Sequence, residues 1–400
     1  MTRKADKHWC RSLRRAVLLA AISLASLLSG CWSAREIEDL AFVMAMGVDT
    51  DPQGVRITYQ LALSEPGGGE TGTGGGAQSP VWVTGLAAPS IAEAMLRLPT
   101  VLGQEPFTGH TLVVVVGEAY AREGIGELVD FLARERQIRD RVRLAVAFGT
   151  AEEVMKAEPR IEAMPAEYLF NLLRQGQETG VVPPADLLGV RIAFANRPLM
   201  QIALPALQPA PMPVEERNGE AAAGETKPSE VIELKGTAVF RDDRLVGFLD
   251  ERESRGVAWL KGNMRMTAVS IRRVEGTITQ LANFSSARFR VREVDGAIRL
   301  HARVSQDGNL TQWPHYGQGI THAFLKQIEQ DLASEVAAEV RAALAALQGE
   351  FNADTIGLGE ELRRLRPQYL GLRSWDESFR ELAVDIEVHA AFRRVGLTIR

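Results

Sequence analysis

The most reactive side chains in this sequence are its two cysteine thiols, and the position of one of them predicts its chemistry. Cys31 follows a serine and a glycine, two small residues. Before them stands an apolar run over residues 16–28, and before that run a basic stretch. Basic stretch, apolar run and small residues are, in this order, the three parts of a secretory signal peptide. We therefore expect residues 1–30 to be removed on export, and Cys10 leaves with them.

The segment Leu28-Ser29-Gly30-Cys31 resembles a bacterial lipobox. The resemblance implies that diacylglycerol alkylates the Cys31 thiol and that the peptide bond before Cys31 is cut. Two acyl chains hold a protein on a membrane stably, whereas a single chain holds it marginally. A signal peptide cut nearby, beside an incidental cysteine, is the alternative. A retained transmembrane helix is disfavoured, because about 13 apolar residues fall short of the roughly 20 that span a bilayer.

Other residue types that catalyse reactions or bind metals lack the spacing that such sites need. The six histidines are scattered, and none forms a His-x-x-x-His or Glu-x-x-His pair with two ligands on one helix face. The glycine-rich run 67–76 lacks the Gly-Lys-Ser/Thr ending of a phosphate loop, and Gly357-Leu358-Gly359 lacks the third glycine of a dinucleotide site. We expect His110 and His315 to be turn or surface residues. The sequence predicts no metal and no cofactor besides the lipid on Cys31.

Carboxylate pairs such as Glu360-Glu361 and Asp242-Asp243 are adjacent in sequence. Adjacent residues point about 100° apart on a helix and to opposite faces on a strand, so these pairs do not converge as an acid and a base. A Gly-x-Ser-x-Gly nucleophile motif is absent from the sequence. We predict a protein that is not an enzyme, although a hydrolase built from residues distant in sequence stays open.

The charge of the chain disfavours one class of partner. The whole chain has a formal charge of −5, and residues 1–30 hold six cations and one anion, so their removal leaves −10. A body this acidic is a poor candidate for binding nucleic acid. The composition, 46% hydrophobic, is sufficient for ordinary cores, and no second stretch approaches the length of a membrane span.

Apolar periodicity predicts that residues 31–205 form a mixed α/β domain with some parallel strand pairing. A hairpin is expected over residues 40–61, followed by a flexible glycine-rich loop over residues 66–80. Helices and apolar strands then alternate, with helices after Ser90, over Glu118–Arg134 and after Thr150, and with strands at 111–116 and 142–148.

A proline- and alanine-rich segment marks the predicted domain boundary. Residues 206–230 are expected to be a linker, because they contain little that could be buried. After them we expect a small middle subdomain over residues 231–283 and a C-terminal α+β domain over residues 284–400. The predicted fold class is therefore α+β with several domains.

The C-terminal domain is predicted to be an antiparallel sheet packed on one long helix. Residues 287–304 alternate around Asp295-Gly296, which is typical of a hairpin. Apolar residues recur every four positions from Ile320 to Leu344, which predicts a helix of about 28 residues. A constant interval of four residues favours a helix that packs on a twisted sheet. In a coiled coil, the spacing between apolar residues would alternate between three and four. Residues 382–390 alternate as a final strand.

Short motifs along the mature chain resemble those of the C-subunit lipoproteins of bacterial spore germinant receptors. They run in the order Gly30-Cys31-Trp32, Arg35-Glu36-Ile37, Gly47-Val48-Asp49, Gly109-His110, Gly117-Glu118, Ala121-Arg122-Glu123-Gly124, Asp354 to Glu360, Arg366-Pro367, Trp375 and Phe379. The joint order is more specific than any single motif. The sequence departs from the family at Ser33, where aspartate is common, at Tyr369, near a usual tryptophan, and in its glycine-rich and proline/alanine-rich insertions.

The resemblance implies a non-enzymatic subunit on the outer face of the spore inner membrane, held by its acyl anchor. Its expected partners are two integral-membrane receptor subunits, with which it acts in nutrient-triggered germination. Cys31 carries over as the lipidation site. The positions expected either to contact partners or to fix turns and fill cores are Trp32, Arg35, Glu36, Gly109, His110, Asp354, Gly357, Gly359 and Trp375.

A lipid-anchored solute-binding protein of a transporter is the alternative from another functional class. Such a protein would usually have two similar α/β lobes. The two halves of this sequence differ in their patterns, which favours the receptor subunit.

Overall fold

In the computed structural model, the described residues form two β-sheets with helices packed against both. The structure describes residues 39–62, 81–157, 164–211, 230–262, 264–295, 297–314, 321–369 and 374–394, and three isolated residues near the N-terminus. The strands are β1 (Leu40–Asp51), β2 (Gly54–Ala62), β3 (Val81–Ala88), β4 (Glu105–Phe107), β5 (Val113–Gly117), β6 (Arg143–Ala147), β7 (Ala203–Pro211), β8 (Glu230–Arg241), β9 (Arg244–Leu249), β10 (Thr267–Arg273), β11 (Gly276–Val294), β12 (Ala297–Gln312) and β13 (Ala383–Arg394). The α-helices are α1 (Ile91–Leu102), α2 (Glu118–Glu123), α3 (Gly126–Arg134), α4 (Ala151–Lys156), α5 (Pro165–Thr179), α6 (Leu187–Ala195), α7 (Glu251–Lys261), α8 (His322–Ala345), α9 (Leu358–Leu365) and α10 (Trp375–Glu381).

The larger sheet has nine strands in the order β3-β2-β1-β5-β6-β7-β8-β9, with β4 also paired to β1. The central strands β1, β5, β6 and β7 pair in parallel, and antiparallel strands flank them on both sides. Residues Val113 to Val116 of β5 are fully buried. A run of β-branched residues buried on both faces is typical of a parallel strand covered by helices on each side.

Helices do cover both faces of this sheet. One face packs against α1, α2, α3 and α6, and its core includes Met46, Val114 and Leu128. The opposite face packs against α4 and α5, with Val115, Met155 and Leu169 in its core. The predicted mixed α/β arrangement of the N-terminal region is therefore confirmed.

The helix expected over residues 118–134 is interrupted in the structure. Gly124, between α2 and α3, has φ +135°, a conformation outside the helical range. The N–H of Ile125 donates to the carbonyl of Asp243 at 2.9 Å instead of to its own helix. The break lets the chain dock against the β8–β9 turn, a long-range contact that helical periodicity does not reveal.

The predicted domain boundaries and the two sheets divide the chain differently. Strand β7 runs to Pro211, beyond the predicted domain end at residue 205, and pairs antiparallel with β8. Residues 231–249, expected in a middle subdomain, contribute β8 and β9 to the nine-stranded sheet. The rest of the predicted linker, residues 212–229, lies outside the described residues. Alternation along a strand predicts its faces, but it does not specify the sheet that the strand joins.

The smaller sheet has the order β10-β11-β12-β13. Its β11–β12 hairpin confirms the predicted alternation, with Ala287 opposite Val304 and Asp295 at φ +53° in the turn. The expectation of an antiparallel sheet was wrong at the last strand, because β13 pairs in parallel with β12. Strand β13 follows a helical crossover, not a tight turn, and a crossover brings a strand back in the parallel direction.

The long helix α8 packs its predicted apolar stripe against this sheet. Ile328, Leu332, Val336 and Val340 are all fully buried. The hydroxyl of Thr321 accepts the N–H of Phe324 and caps the first turn. The predicted α+β class, with one long helix on the C-terminal sheet, is confirmed. In the part of the chain that the structure describes, no helix is both long and apolar enough for a membrane crossing.

Candidate functional site

The motif positions Asp354, Gly357, Gly359 and Trp375 lie together between the end of α8 and α10. The carboxylate of Asp354 is at the centre and is buried. Its Oδ1 accepts the N–H groups of Gly357 at 2.8 Å and Leu358 at 3.0 Å, and its Oδ2 accepts the N–H of Gly359 at 2.8 Å. These are donors at the N-terminus of α9, which have no partner within the helix. Asp354 therefore caps α9 from a position four residues before its first residue, Leu358.

The two glycines are required by this geometry. Gly357 has φ +89°, which a residue with a side chain adopts only with strain. A Cβ on Gly359 would lie 2.7 Å from Cε2 of Trp375 and 2.8 Å from the carbonyl oxygen of Leu199. The spacing Asp-x-x-Gly-x-Gly thus combines a buried carboxylate, a left-handed turn and a close helix contact.

This turn joins the elements of the two sheets. The carbonyl of Asp354 accepts the N–H of Gln201, which precedes β7 of the larger sheet, at 2.8 Å. The side-chain oxygen of Gln201 in turn accepts the N–H of Asp242 in the β8–β9 turn at 2.8 Å. Trp375, at the start of α10, is almost fully buried among residues of the smaller sheet's core. The Asp354 turn is consequently a structural joint between the two halves.

Burial has the largest effect on the pKa values of Asp354 and Lys261 at this joint. Burial raises the pKa of Asp354 to about 6, against the opposing effect of the three backbone N–H donors. Burial lowers the pKa of Lys261, the last residue of α7, while attraction to Asp354 opposes that change. A cavity of about 670 Å³ adjoins the turn, with Lys261, Gly357 and Phe289 in its wall. Three backbone N–H groups donate to the Asp354 carboxylate within 3.0 Å, so it acts as a cap, and the side chain of Trp375 also helps to stabilise its charged form.

The raised pKa predicts a pH dependence of stability. Because Asp354 titrates near pH 6 when folded and near 3.8 when unfolded, the unfolded chain loses its proton first as the pH rises. The contribution of Asp354 to stability is fully present below about pH 4 and declines by about 3 kcal/mol through pH 6. Urea unfolding of the wild type and of Asp354→Asn at several pH values measures it, because the variant lacks this decline. An Asp354 pKa below 4 by carbon NMR would contradict the prediction.

The second motif pair, Gly109 and His110, lies elsewhere, in a 3₁₀ turn before β5. The exposed ring of His110 stands 5.4 Å from the rings of both Phe42 and Phe107. A Cβ on Gly109 would lie 2.6 Å from Cζ of Phe107, so this glycine permits the close packing. Gly109 therefore has a structural role in this turn, and the imidazole of His110 beside it is exposed.

Two buried acidic residues were missed as candidates by sequence reasoning. Asp49 accepts the N–H of Ala151 at 2.7 Å and that of Glu152 at 3.0 Å, and so caps α4. A Cβ on Gly117 would lie 1.9 Å from Oδ1 of Asp49, so the close approach of the two residues requires glycine at position 117. This contact gives one structural reason for both the Gly47-Val48-Asp49 motif and the Gly117-Glu118 motif. The signal was the aspartate of the Gly47-Val48-Asp49 motif, which directly follows the apolar residues of β1. The second is Glu339, which lies on the apolar side of α8. The four-residue stripe identified the apolar residues on this side but gave no signal for the acidic residue among them.

Two further predictions from the sequence concern metal binding and the motif positions near the N-terminus. In the described ranges, no group of three or more His, Cys, Asp and Glu side chains is placed to hold a metal ion. Cys31, Trp32, Arg35 and Glu36 lie outside the described residues.

Two known protein families match this chain, one after the other. Residues 33–209 match the spore germination protein N-terminal domain. Residues 235–396 match the "Spore germination B3/ GerAC like, C-terminal" family. The chain belongs to the GerAC-like family of spore germination proteins. The Asp354 turn falls within the second match and the His110 turn within the first.

Full-length relatives in the GerAC-like family are distant but collinear. Spore germination protein KC of Bacillus subtilis (strain 168) is 26% identical over 399 residues, which is 96% of this chain and 97% of KC. Spore germination protein B3 of the same organism is 23% identical over 92% of this chain and 94% of B3. Spore germination protein GerQC of Bacillus cereus is 20% identical over 96% of this chain and all of GerQC.

The GerAC-like fold is also found in a crystal structure. The GerBC protein is similar with a TM-score of 0.54 at 18% identity, over 87% of this chain and 96% of that chain. At this identity the similarity supports the fold. The family resemblance inferred from the motifs is confirmed.

Proposed function

We propose that this chain is the lipid-anchored, non-enzymatic subunit of a nutrient germinant receptor and acts in bacterial spore germination. The observation that carries the proposal is the order of features along the chain. A lipobox-like cysteine at residue 31 is followed directly by both GerAC-like domains, over residues 33–209 and 235–396. Relatives that align over more than nine-tenths of this chain are named as spore germination proteins.

In this proposal, diacylglycerol on Cys31 is the link to the outer face of the spore inner membrane and the chain's sole cofactor. Eight residues separate Cys31 from Leu40, where β1 begins. A tether of nine peptide units reaches at most about 32 Å when fully extended. Such a tether raises the effective concentration of the body for partners in the same membrane. Two integral-membrane receptor subunits are the partners we propose.

The non-enzymatic role is supported by the geometry of the candidate site. The buried carboxylates of Asp354 and Asp49 accept backbone N–H groups and cap helices. Such groups hold the fold, because their oxygens are engaged by backbone donors. We therefore propose that the motif positions keep the body in one shape for assembly with its partners.

Replacing Cys31 by alanine tests the anchor. We expect Cys31→Ala to move the protein from the membrane fraction to the soluble fraction at high salt, where charge-based contacts with headgroups are screened, and to abolish receptor function, because the acylated thiol is lost. Cys10→Ala is the matched control, since it removes the same side chain within the predicted signal peptide and should leave both properties unchanged. Circular dichroism of the released body is expected to match that of the wild type. A soluble Cys31→Ala protein that still supports germination contradicts the proposal.

Purification of the lipidated protein from spore inner membranes tests the partners. Mass spectrometry is expected to recover two polytopic subunits, which are lost with Cys31→Ala and kept with Cys10→Ala. Recovery of transport ATPase components would support the solute-binding alternative and overturn the receptor proposal.

A further inference from the structure

The outer face of the smaller sheet carries a concentration of arginines that the fold does not need. Strand register places every second residue of β11 and β12 on the face opposite α8. This basic face is defined by Arg288, Arg290, Arg292, Arg299 and Arg303.

Like charges stand directly opposite one another on the basic face. Arg288 is the register partner of Arg303, and Arg292 is the partner of Arg299. Between them, Arg290 is opposite His301. Directly opposed like charges destabilise a sheet, so this pattern weakens the hairpin that carries it. A local rule broken by two arginine pairs in one hairpin indicates a use outside the fold.

Carboxylates neutralise only the far side of the face. On β13, Asp385 pairs with Arg299 at 2.6 Å, and Glu387 pairs with Arg303 at 3.0 Å. Hydrogen bonds from His389, Arg303 and His301 lower the pKa of the Glu387 carboxyl to about 2. In the described part of the chain, the β11 arginines have no carboxylate within ion-pair distance. Three exposed guanidinium groups therefore line one strand without an ion pair among the described residues, although Arg292 adds to the effect of Arg299 in lowering the pKa of Asp385.

Exposed apolar side chains flank this row of arginines on the same strand face. Phe284 is 50% exposed and Val294, at the hairpin tip, is 44% exposed. The register partner of Phe284 is Asp307, which is itself paired with Arg393 at 2.8 Å. Cations flanked by exposed aromatic and aliphatic side chains are typical of surfaces that lie on lipid headgroups.

We propose that the basic face lies against anionic phospholipid headgroups and thereby orients the anchored body on the membrane. This inference rests on the proposed anchor at Cys31, which keeps a bilayer within reach of the body. Charge complementarity supports it, because the mature chain is acidic as a whole and an anionic surface repels its other faces. Arginine binds phosphate oxygens with two parallel hydrogen bonds, a geometry suited to phosphodiester headgroups.

Sedimentation with lipid vesicles tests the proposal without the acyl group. The protein is the mature chain with Cys31→Ala, since residues 41–400 form one unit with both sheets. We expect it to bind vesicles of phosphatidylglycerol and phosphatidylcholine and not vesicles of phosphatidylcholine alone. Binding should fall when salt rises from about 0.1 M to about 1 M, because the screening length shortens from about 10 Å to about 3 Å.

A charge-matched pair of triple variants locates the binding surface. Arg288→Gln, Arg290→Gln and Arg292→Gln together should weaken vesicle binding by at least about tenfold. Arg122→Gln, Arg134→Gln and Arg191→Gln remove the same charge from exposed positions on α2, α3 and α6, and should leave binding within about twofold. Equal losses in the two variants, or no binding to anionic vesicles, would overturn the proposal.

The outcomes separate this proposal from the proposed function. Vesicle binding requires no acyl group and no partner subunit, so it can fail while Cys31→Ala still abolishes receptor function. If the β11 variant binds vesicles normally but loses its membrane subunits in the purification described above, the face binds an acidic protein surface and the lipid proposal is wrong.

Discussion

Replacing Asp354 by alanine is expected to lower the free energy of unfolding by about 3 kcal/mol or more. The change leaves three buried N–H groups, those of Gly357, Leu358 and Gly359, without their acceptor. Each unsatisfied buried donor costs about 1–3 kcal/mol. The joint between the sheets should weaken with the helix cap, because Gln201 bonds to the backbone of the same turn.

Urea unfolding at neutral pH measures this effect, and Asp250→Ala is the matched control. Asp250 is also an aspartate that caps a helix, accepting the N–H of Glu253 at 2.8 Å, but it is exposed. Water can satisfy the donors that an exposed cap releases, so we expect a loss of about 1 kcal/mol there. Equal losses for the two variants would contradict a special role of the Asp354 turn.

Replacing Glu339 by alanine is expected to destabilise the protein by about 3–5 kcal/mol. Glu339 lies where α7 and α8 cross, is 3% exposed and accepts the indole N–H of Trp259 at 2.6 Å. Its other oxygen accepts a hydrogen bond from Arg255. Burial raises the pKa of Glu339, and Arg255 and Trp259 oppose that rise by stabilising the carboxylate. Removing the carboxylate strands a largely buried guanidinium and a buried indole N–H.

An exposed ion pair on the same two helices provides the control. Glu335 pairs with Arg252 at 3.0 Å, one helical turn before Glu339. Exposed pairs of this kind contribute about 0.2–1 kcal/mol, so Glu335→Ala should have a small effect. The double variant Arg255→Met with Glu339→Leu should recover much of the loss, because it leaves no unpaired charge. A double variant as unstable as Glu339→Ala would show that packing, and not the pairing of charges, stabilises the contact between α7 and α8.

Elements that depend on a single local pattern were predictable from the sequence. The β11–β12 hairpin follows from alternation around Asp295, and α8 follows from its four-residue stripe. The direction of β13 and the pairing of β7 with β8 depend on partners distant in the chain. A strand's own residues do not encode either property, which explains the wrong antiparallel assignment and the different domain boundaries.

The candidate site was predictable as a motif but not as a mechanism. The spacing from Asp354 to Gly359 was found in the sequence as part of a family-like motif. The carboxylate is buried and accepts three N–H groups. This arrangement depends on the positions of Trp375 and Leu199, which pack against the same turn. These contacts come from elsewhere in the chain, so spacing alone could not distinguish a cap from a surface for partners.

The parallel pairing of β13 with β12 also orders the folding of the chain in time. Leu300 and Val384 are register partners, yet the whole of α8, α9 and α10 lies between them in sequence. A ribosome delivers residues from the N-terminus, so the nine-stranded sheet has all its strands long before β13 exists. Until then the apolar side of α8 lacks the cover of Val384, Ile386 and Val388. We expect this nascent intermediate to be the species most vulnerable to aggregation and proteolysis during biogenesis.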